Sequence, residues 1–188
     1  MRSQALGDCQ SGLWTAVGGV ATGGCYVGMP PEHLTTACTI GGSVFASAWS
    51  TTVIGIYAGF GAGKHLITTS GNSSNSYPFG CWQFNTWARS NSNGDHNTNI
   101  IDAASCWSDP VKAAQLCRNL GADWYLPSRD ELQILYTNRA AIGNFIANNY
   151  WSSTENDSHN AWNLNFGNGS WYSHGKNSYI HVRCVRSF

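Results

Sequence analysis

The sequence predicts an α+β fold in which two main helices precede a loop-rich region of antiparallel strands and hairpins. Two segments between residues 109 and 137 carry helix-capping signals and apolar residues on one face. After residue 149, apolar and polar residues alternate, which is the pattern of half-buried strands. Glycine, asparagine and serine are frequent between these segments, so we expect long loops.

The first helix is predicted from its start and stop signals. Asp109 can cap the helix, and Pro110 suits its first turn because the missing N–H would have no partner there. Apolar residues then recur near one face until Gly121, which ends the helix.

The second helix begins with a capping box formed by Ser128 and Glu131. The serine oxygen accepts an N–H of the first turn, and the glutamate side chain reaches back to the serine N–H. Leu132 and Leu135 supply its buried face. A third helical stretch is predicted over residues 139–147, with Phe145 packed inward.

Upstream of the helices, β-branched and aromatic residues predict strands at residues 44–49, 53–60 and 65–69. A short strand is predicted at residues 81–87, where aromatic and polar residues alternate, and a polar loop at residues 89–99.

Two segments divide the chain. Residues 1–35 are rich in glycine and form an N-terminal segment or linker, which ends near the break at Pro30 and Pro31. Residues 36–188 form the main domain.

The last forty residues form a strand-rich region. Strands are predicted at residues 150–155, 161–166 and 179–185, with a hairpin turn at Asn168-Gly169. Because side chains alternate along a strand, Asn163 and Asn165 should face outward while Trp162 and Leu164 face the core.

Charge is scarce and balanced. Charged residues make up 11% of the chain with a formal net charge of zero, against about 25% charged residues in typical soluble proteins. Such a chain exerts no long-range attraction on nucleic acids or anionic membranes. Aromatic residues make up 13% of the chain, which suits a binding surface because Tyr and Trp provide contact area at low entropic cost.

Seven cysteines are spread widely, without any Cys-x-x-Cys pair. This spacing disfavours a zinc ribbon or a redox motif and favours disulfides, and hence an extracellular or cell-surface location. An odd number leaves at least one cysteine free or paired between chains. No run of about 18 apolar residues predicts a membrane span.

Seven motifs follow one another in a fixed order along the chain. They are Gly94–Thr98, Ala113–Cys117, Trp124–Ser128, Glu131-Leu132, Tyr150–Glu155, Ala161-Trp162 and Val182–Arg186. This ordered set resembles the Lcl C-terminal domain family over roughly residues 55–188. Members of that family look like adhesin or display domains of bacterial surfaces with a C-type-lectin-like fold, so the resemblance implies that fold here. It also implies a helix-to-strand disulfide between Cys117 and Cys184.

The same family includes variable proteins of diversity-generating retroelements, in which asparagine codons are scattered into Asn, Ser, Tyr, His, Asp and Gly. Residues 149–181 are rich in this set, with aromatic scaffold residues between them. The resemblance therefore implies a diversified surface that binds a protein or glycan ligand. The predicted ligand-binding residues are Asn156, Asp157, His159, Asn160, Asn163, Asn165, Asn168, Ser170, Tyr172, His174, Asn177 and Tyr179.

Alternatives to a diversified receptor stay open. One is an invariant pilus-tip or tail-fibre adhesin that binds glycan, with the same residues filling exposed loops. Another is an enzyme resembling the formylglycine-generating enzyme, which needs a reactive cysteine. Cys184 lies in a strand motif without a general base nearby, so no catalytic residues are predicted. The oligomeric state also stays open.

The same region contains candidate metal ligands and ion-pair partners. His159, His174 and His181 match no compact metal-ligand spacing, so no metal site or cofactor is predicted. Calcium bound by Glu155 and its neighbours Asn156 and Asp157 is a minor alternative. Arg183 and Arg186 are expected to pair with Glu131, Asp130 or helix carbonyls.

Overall fold

The computed structural model describes residues 9–10, 13–14, 24–47, 50, 52–72, 76–106 and 112–188. The helices are α1 (Pro31–Ala37), α2 (Gly94–Ala103), α3 (Ala113–Arg118), α4 (Arg129–Thr137) and α5 (Arg139–Ile142). The strands are β1 (Cys9–Gln10), β2 (Leu13–Trp14), β3 (Cys25–Tyr26), β4 (Ser43–Phe45), β5 (Val53–Gly61), β6 (Lys64–Thr68), β7 (Asn149–Glu155), β8 (Asn160–Asn165), β9 (Trp171–Gly175) and β10 (Val185–Ser187). The mixture confirms the predicted α+β class.

Two sheets carry the described fold, beside the small β1–β2 pair. One has the order β10-β6-β5-β4-β3, and the other has the order β7-β8-β9. All their pairings are antiparallel except that of β3 with β4. The predicted strands at residues 53–60, 65–69 and 150–155 are confirmed within one or two residues.

Part of the predicted N-terminal segment packs with the main domain. Strand β3 joins the five-stranded sheet, and the disulfide Cys25–Cys38 ties this strand to the end of α1. Met29 and Leu34 are buried in the same apolar cluster as Val44 and Ile67.

Helix α4 packs between the two sheets. Leu132 and Leu135 share an apolar cluster with Leu66 of β6, Tyr150 of β7 and Leu164 of β8. The predicted capping box is confirmed, because Ser128 Oγ accepts from Glu131 N while Glu131 Oε2 accepts from Ser128 N. This helix therefore fixes the position of the three-stranded sheet.

Helix α2 was missed by the sequence analysis, which predicted a polar loop over residues 89–99. Asn93 caps it, with Oδ1 accepting from His96 N at 3.1 Å. Its polar residues Asn97 and Thr98 are fully buried and hydrogen-bonded. A pattern search for apolar periodicity cannot find a helix whose buried face is partly polar.

Other boundaries also differ from prediction. Helix α3 is described from Ala113, whereas the predicted cap at Asp109 and Pro110 lies outside the described residues. Helix α5 ends at Ile142 because Gly143 adopts a φ of +76°, which stops the helix predicted to reach residue 147. The closing strand is only β10, so the strand predicted over residues 179–185 is wrong for most of its length.

The segment at residues 81–87 is not a strand. Cys81, Gln83 and Trp87 have φ values of 57°, 72° and 67°, which are incompatible with extended backbone. The alternation of aromatic and polar residues here reflects a tight, irregular loop.

Three disulfides are present among the described residues: Cys25–Cys38, Cys81–Cys106 and Cys117–Cys184. The pairing of Cys117 with Cys184 confirms the expectation drawn from the family resemblance. The side chain of Cys9 lies outside the described part. None of the helices within the described ranges is long and apolar enough to cross a membrane.

We predict that replacing Cys117 and Cys184 together by alanine lowers the free energy of unfolding by about 4 kcal/mol. This disulfide closes a loop with a sequence separation of 67 residues, which restricts the unfolded chain strongly. The pair Cys25 and Cys38, with a separation of 13, is the matched control and should cost about 3 kcal/mol. Denaturant unfolding measures both losses. A larger loss for the shorter loop contradicts the prediction.

Candidate ligand-binding face

The three-stranded sheet has one side packed on the core. Tyr150, Leu164 and Trp171 lie directly opposite one another across β7, β8 and β9, so their side chains share one side of the sheet. On this side the Arg129 guanidinium lies 4.8 Å from the Trp171 ring, and Trp171 Nε1 donates to Gln133 Oε1 at 3.2 Å. Helix α4 therefore covers this side.

The opposite side of the sheet carries Trp151, Asn163 and Tyr172, which are also in register. Trp151 is fully buried, packs edge-on against Phe79 and donates from Nε1 to the Tyr77 carbonyl at 2.9 Å. Tyr172, at the outer strand, is exposed. This side thus passes from buried core at β7 to solvent at β9.

A buried ion pair anchors the ends of the sheet. Glu155, the last residue of β7, and Lys176, which directly follows β9, lie 2.8 Å apart and both side chains are fully buried. Glu155 Oε2 also accepts from Thr86 N at 2.7 Å, and Lys176 Nζ donates to the Phe84 carbonyl at 2.7 Å. Burial lowers the pKa of the Lys176 ammonium, while Glu155 opposes this by hydrogen bonding and charge. The pair joins β7, β9 and the loop before α2.

The polar residues of strand β7 are structural. Ser152 Oγ donates to the Trp162 carbonyl at 2.9 Å, and Ser153 Oγ accepts from Asn97 Nδ2 at 3.2 Å. Thr154 Oγ1 donates to the Ser90 carbonyl at 2.9 Å. All three serine and threonine residues are buried, so the motif Tyr150–Glu155 builds the frame rather than the binding surface.

The predicted site residues lie mostly at the surface of this region. Exposed residues are Asn156, His159, Asn168, Ser170, Tyr172, Asn177 and Tyr179, and half-buried ones are Asp157, Asn160, Asn165 and His174. They occupy the β7–β8 turn, the two ends of β8, the β8–β9 turn, β9 and the loop after it. The structure therefore brings the predicted residues together around one hairpin.

Asn163 is an exception, because it is fully buried. The expectation that it faces outward is wrong: β8 is the central strand, so neighbouring side chains of β7 and β9 flank it on both sides. Its amide also contacts His174, with Nδ1 of the histidine 2.9 Å from Nδ2 and 3.1 Å from Oδ1. Asn163 therefore positions His174 instead of reaching solvent.

Two asparagine-rich turns use side chains to hold their own backbone. Asp157 Oδ1 accepts from His159 N at 2.7 Å and from Asn160 N at 2.8 Å. Partial burial alone would raise the pKa of the Asp157 carboxyl, but these hydrogen bonds and those from the Asn160 side chain hold that pKa below its usual value. Asn165 Oδ1 similarly accepts from Gly167 N and Asn168 N.

Glu155 is not available as a calcium ligand, because its two oxygens accept from Thr86, Trp87 and Lys176. No group of three or more His, Cys, Asp or Glu residues in the described part of the chain is placed to hold a metal ion. Cys184 is bonded to Cys117, so it carries no free thiol.

Neither C-terminal arginine pairs with Glu131 or Asp130, so that part of the expectation is wrong. Arg183 Nη2 does donate to the Gly143 carbonyl at 3.5 Å, at the end of helix α5. Arg183 is buried and donates to Thr68 Oγ1 and Asn72 Oδ1 while stacking on Phe145. Burial lowers the pKa of Arg183 to about 10. Arg186 pairs with Asp123 at 3.2 Å.

Glu131 is engaged elsewhere. It accepts from Lys64 Nζ and from the Tyr125 hydroxyl, both at 3.1 Å, as well as from Gly94 N and Ser128 N. It therefore links strand β6 to the starts of helices α2 and α4.

Two features that the sequence analysis missed bear on the site. Lys176 is the only lysine after Lys112, and a single charge in a charge-poor region could have suggested a structural partner. The exposed rings of Phe84 and Trp87 border the β7–β8 turn, since Trp87 N lies 3.4 Å from Glu155 Oε1. The sequence pattern predicts a strand at residues 81–87, which would have placed Phe84 and Trp87 within a sheet.

Comparison with known proteins identifies a family and a similar solved structure. The sequence model of the Lcl C-terminal domain family matches residues 81–186, so it starts later than the motifs alone suggest. A fimbrial protein from Bacteroides ovatus ATCC 8483 has a similar structure, with a TM-score of 0.50 and 14% identity. The similarity covers 66% of this chain and only 36% of that protein. No curated protein matches the sequence.

We predict that Glu155→Gln lowers the free energy of unfolding by about 3–5 kcal/mol, because it leaves the Lys176 ammonium buried without its counter-charge. The double variant Glu155→Gln/Lys176→Met should lose less than the sum of the two single losses. Urea unfolding of the four proteins measures this coupling.

The matched control is Asp123→Asn, which removes the charge from an ion pair whose carboxylate is largely exposed. It should change stability by less than about 1 kcal/mol. If Glu155→Gln is as mild as this control, the buried pair does not anchor the sheet.

Proposed function

Because the chain belongs to the Lcl C-terminal domain family, we propose that it is a surface-displayed, non-enzymatic protein that binds a ligand through the outward side chains of residues 156–179. The observation that carries this proposal is the division of the region into two sets. Buried residues form a hydrogen-bonded frame, and nearly all predicted contact residues reach solvent. A frame with an exposed, aromatic and amide-rich surface suits recognition.

The chemistry of the exposed set supports binding. Tyr172 and Tyr179 offer rigid apolar area with a hydroxyl, and Asn156, Asn168 and Asn177 offer amide donors and acceptors. The chain has no net charge, so contact would depend on shape and hydrogen bonds rather than on electrostatic attraction. A protein or glycan on another cell surface fits this chemistry.

An extracellular or surface location agrees with the three disulfides, which persist in oxidising compartments. The similarity to the fimbrial protein is one of fold, and it fits display on a pilus or comparable surface structure. We also propose that the domain has the C-type-lectin-like arrangement that the family resemblance implies.

We propose further that the exposed residues of this region are diversified by a retroelement. It is supported by the side chains of His159, Tyr172, Asn177 and Tyr179, which are exposed and belong to the set that adenine mutagenesis produces. Changing them would leave the buried frame intact. A reverse transcriptase gene beside this gene, with a near-copy of the sequence encoding residues 150–188, would be expected.

A fixed adhesin is the second candidate, and a specific observation favours it. Asp157, Asn160 and Asn165 make hydrogen bonds that hold their own turns, and random replacement of these residues would damage the turns. Absence of the reverse transcriptase and of the repeat would favour this candidate. An enzyme related to the formylglycine-generating enzyme is disfavoured, because the Cys184 sulfur is in a disulfide.

We predict that Tyr172→Ala combined with Asn168→Ala weakens ligand binding at least about tenfold, since a buried contact of an aromatic anchor is typically worth more than 1.4 kcal/mol. The measurement is binding of the displayed domain to a glycan microarray and to a library of surface proteins. Asn119→Ala, at an exposed asparagine after α3, is the matched control and should bind normally. Unchanged binding by the double variant would exclude this face.

A further inference from the structure

The loop at residues 81–89 exposes two aromatic rings that the proposed binding face does not include. Trp87 is 65% exposed and Phe84 is 49% exposed. We propose that this loop is a separate subsite for a neutral saccharide, in which the Trp87 indole stacks on the apolar face of a pyranose ring. The inference rests on the proposed role in ligand binding and adds the chemical class of one ligand.

The backbone of the loop is held in an unfavourable conformation. Trp87 has a φ of 67°, and Cys81 and Gln83 are also left-handed. Such a conformation costs of order 1–3 kcal/mol for each non-glycine residue, and a tryptophan does not relieve the cost as asparagine does. A loop that only connected two elements would not need an exposed tryptophan at such a position.

Buried groups hold this loop from below. Thr86 N donates to Glu155 Oε2 at 2.7 Å, and Lys176 Nζ donates to the Phe84 carbonyl at 2.7 Å. The disulfide Cys81–Cys106 fixes the start of the loop. The backbone position of Trp87 is therefore set before any ligand arrives, which lowers the entropic cost of binding.

One face of the indole is already covered. The Arg89 guanidinium carbon lies 4.7 Å from the centre of the Trp87 ring, and Arg89 Nη2 donates to Asn85 Oδ1 at 3.1 Å. Because the ring is nevertheless largely exposed, its other face is open to solvent. A flat apolar surface of this size matches the face of a single sugar ring.

Exposed amide side chains lie close to Trp87 along the chain. Gln83 and Asn85 belong to the same loop, and Asn156 follows Glu155, whose Oε1 lies 3.4 Å from Trp87 N; all three amide residues are exposed. Amides offer both donors and acceptors, which is the complement that sugar hydroxyls require. The neighbouring His159 packs edge-on against Trp82 at 6.0 Å, so the loop adjoins the proposed binding face.

Charge balance favours an uncharged ligand. Lys176 pairs with Glu155, and Arg89 lies 3.8 Å from the same carboxylate. Burial lowers the pKa of Lys176, while the charges of Glu155 and Asp157 raise it and the charge of Arg89 lowers it. Two acids and two bases give this cluster no net charge.

A protein partner fits the loop less well. A stable protein interface buries about 800 Å² on each side around a continuous apolar centre. Here only Phe84 and Trp87 are exposed large apolar residues of the loop, and the exposed amide of Asn85 stands between them in the sequence.

The test uses the full chain labelled with 5-fluorotryptophan and titrated with methyl glycosides of neutral hexoses and N-acetylhexosamines. The Trp87 signal in the fluorine NMR spectrum is the one that disappears in Trp87→Phe. We expect at least one glycoside to shift this signal in a saturable manner. Isothermal titration calorimetry with the same glycoside does not depend on the Trp87 signal. It should show binding weakened about tenfold or more in Trp87→Ala, and by less than about threefold in Trp87→Phe, which keeps a ring.

Two controls make failures distinguishable. Phe60→Ala removes an exposed ring on β5, outside the proposed binding face, and should leave glycoside binding unchanged. Circular dichroism must show that each variant is folded. If no neutral glycoside shifts the Trp87 signal, or if Trp87→Ala binds normally, the saccharide subsite is wrong. A further outcome would also overturn the saccharide subsite. If Trp87→Ala fails to bind a surface protein that the parent chain binds, and no glycoside shifts the Trp87 signal, Trp87 contacts a protein rather than a sugar.

Discussion

The buried ion pair between Glu155 and Lys176 is the interaction on which the rest of the C-terminal region depends. Removing two charges from water is costly, and the cost is met only when both groups are paired and hydrogen-bonded. Here the carboxylate also receives Thr86 N, and the ammonium also donates to the Phe84 carbonyl. Strand β7, strand β9 and the loop at residues 81–89 are therefore held in the one arrangement in which these buried charges keep all their hydrogen bonds.

A second buried carboxylate does the same for the helices. Glu131 closes the capping box of α4, accepts from the first residue of α2 and pairs with Lys64 of β6. The chain has only ten acidic residues, and these two hold its elements together from inside. Two of the few acidic side chains are therefore fully buried and used for structural ion pairs. The exposed residues of the C-terminal region are mostly Tyr, His, Asn and Ser, and the ion pairs of Glu131 and Glu155 do not include them.

Sequence patterns predicted the features that depend on neighbours along the chain. The capping box at Ser128, the hairpin turn at Asn168-Gly169 and the first and last residues of β5, β6 and β7 all follow from residues close together in the sequence. The Cys117–Cys184 pairing came from the family resemblance instead. Patterns failed where distant groups decide the conformation: helix α2 buries the polar Asn97 against Ser153, and the loop around Trp87 is held by Glu155. Asn163 was misplaced because alternation assigns a side of the sheet but not the depth of its central strand.

The central claim is that the outward side chains are exchangeable because the frame does not depend on them. The most direct measurement is protease resistance of a displayed library in which His159, Asn168, Tyr172, Asn177 and Tyr179 are randomised together. The account predicts that most members resist protease as well as the parent does. A matched library at the buried positions Ser152, Ser153 and Asn163 should lose resistance in most members. Equal losses in the two libraries would contradict the account.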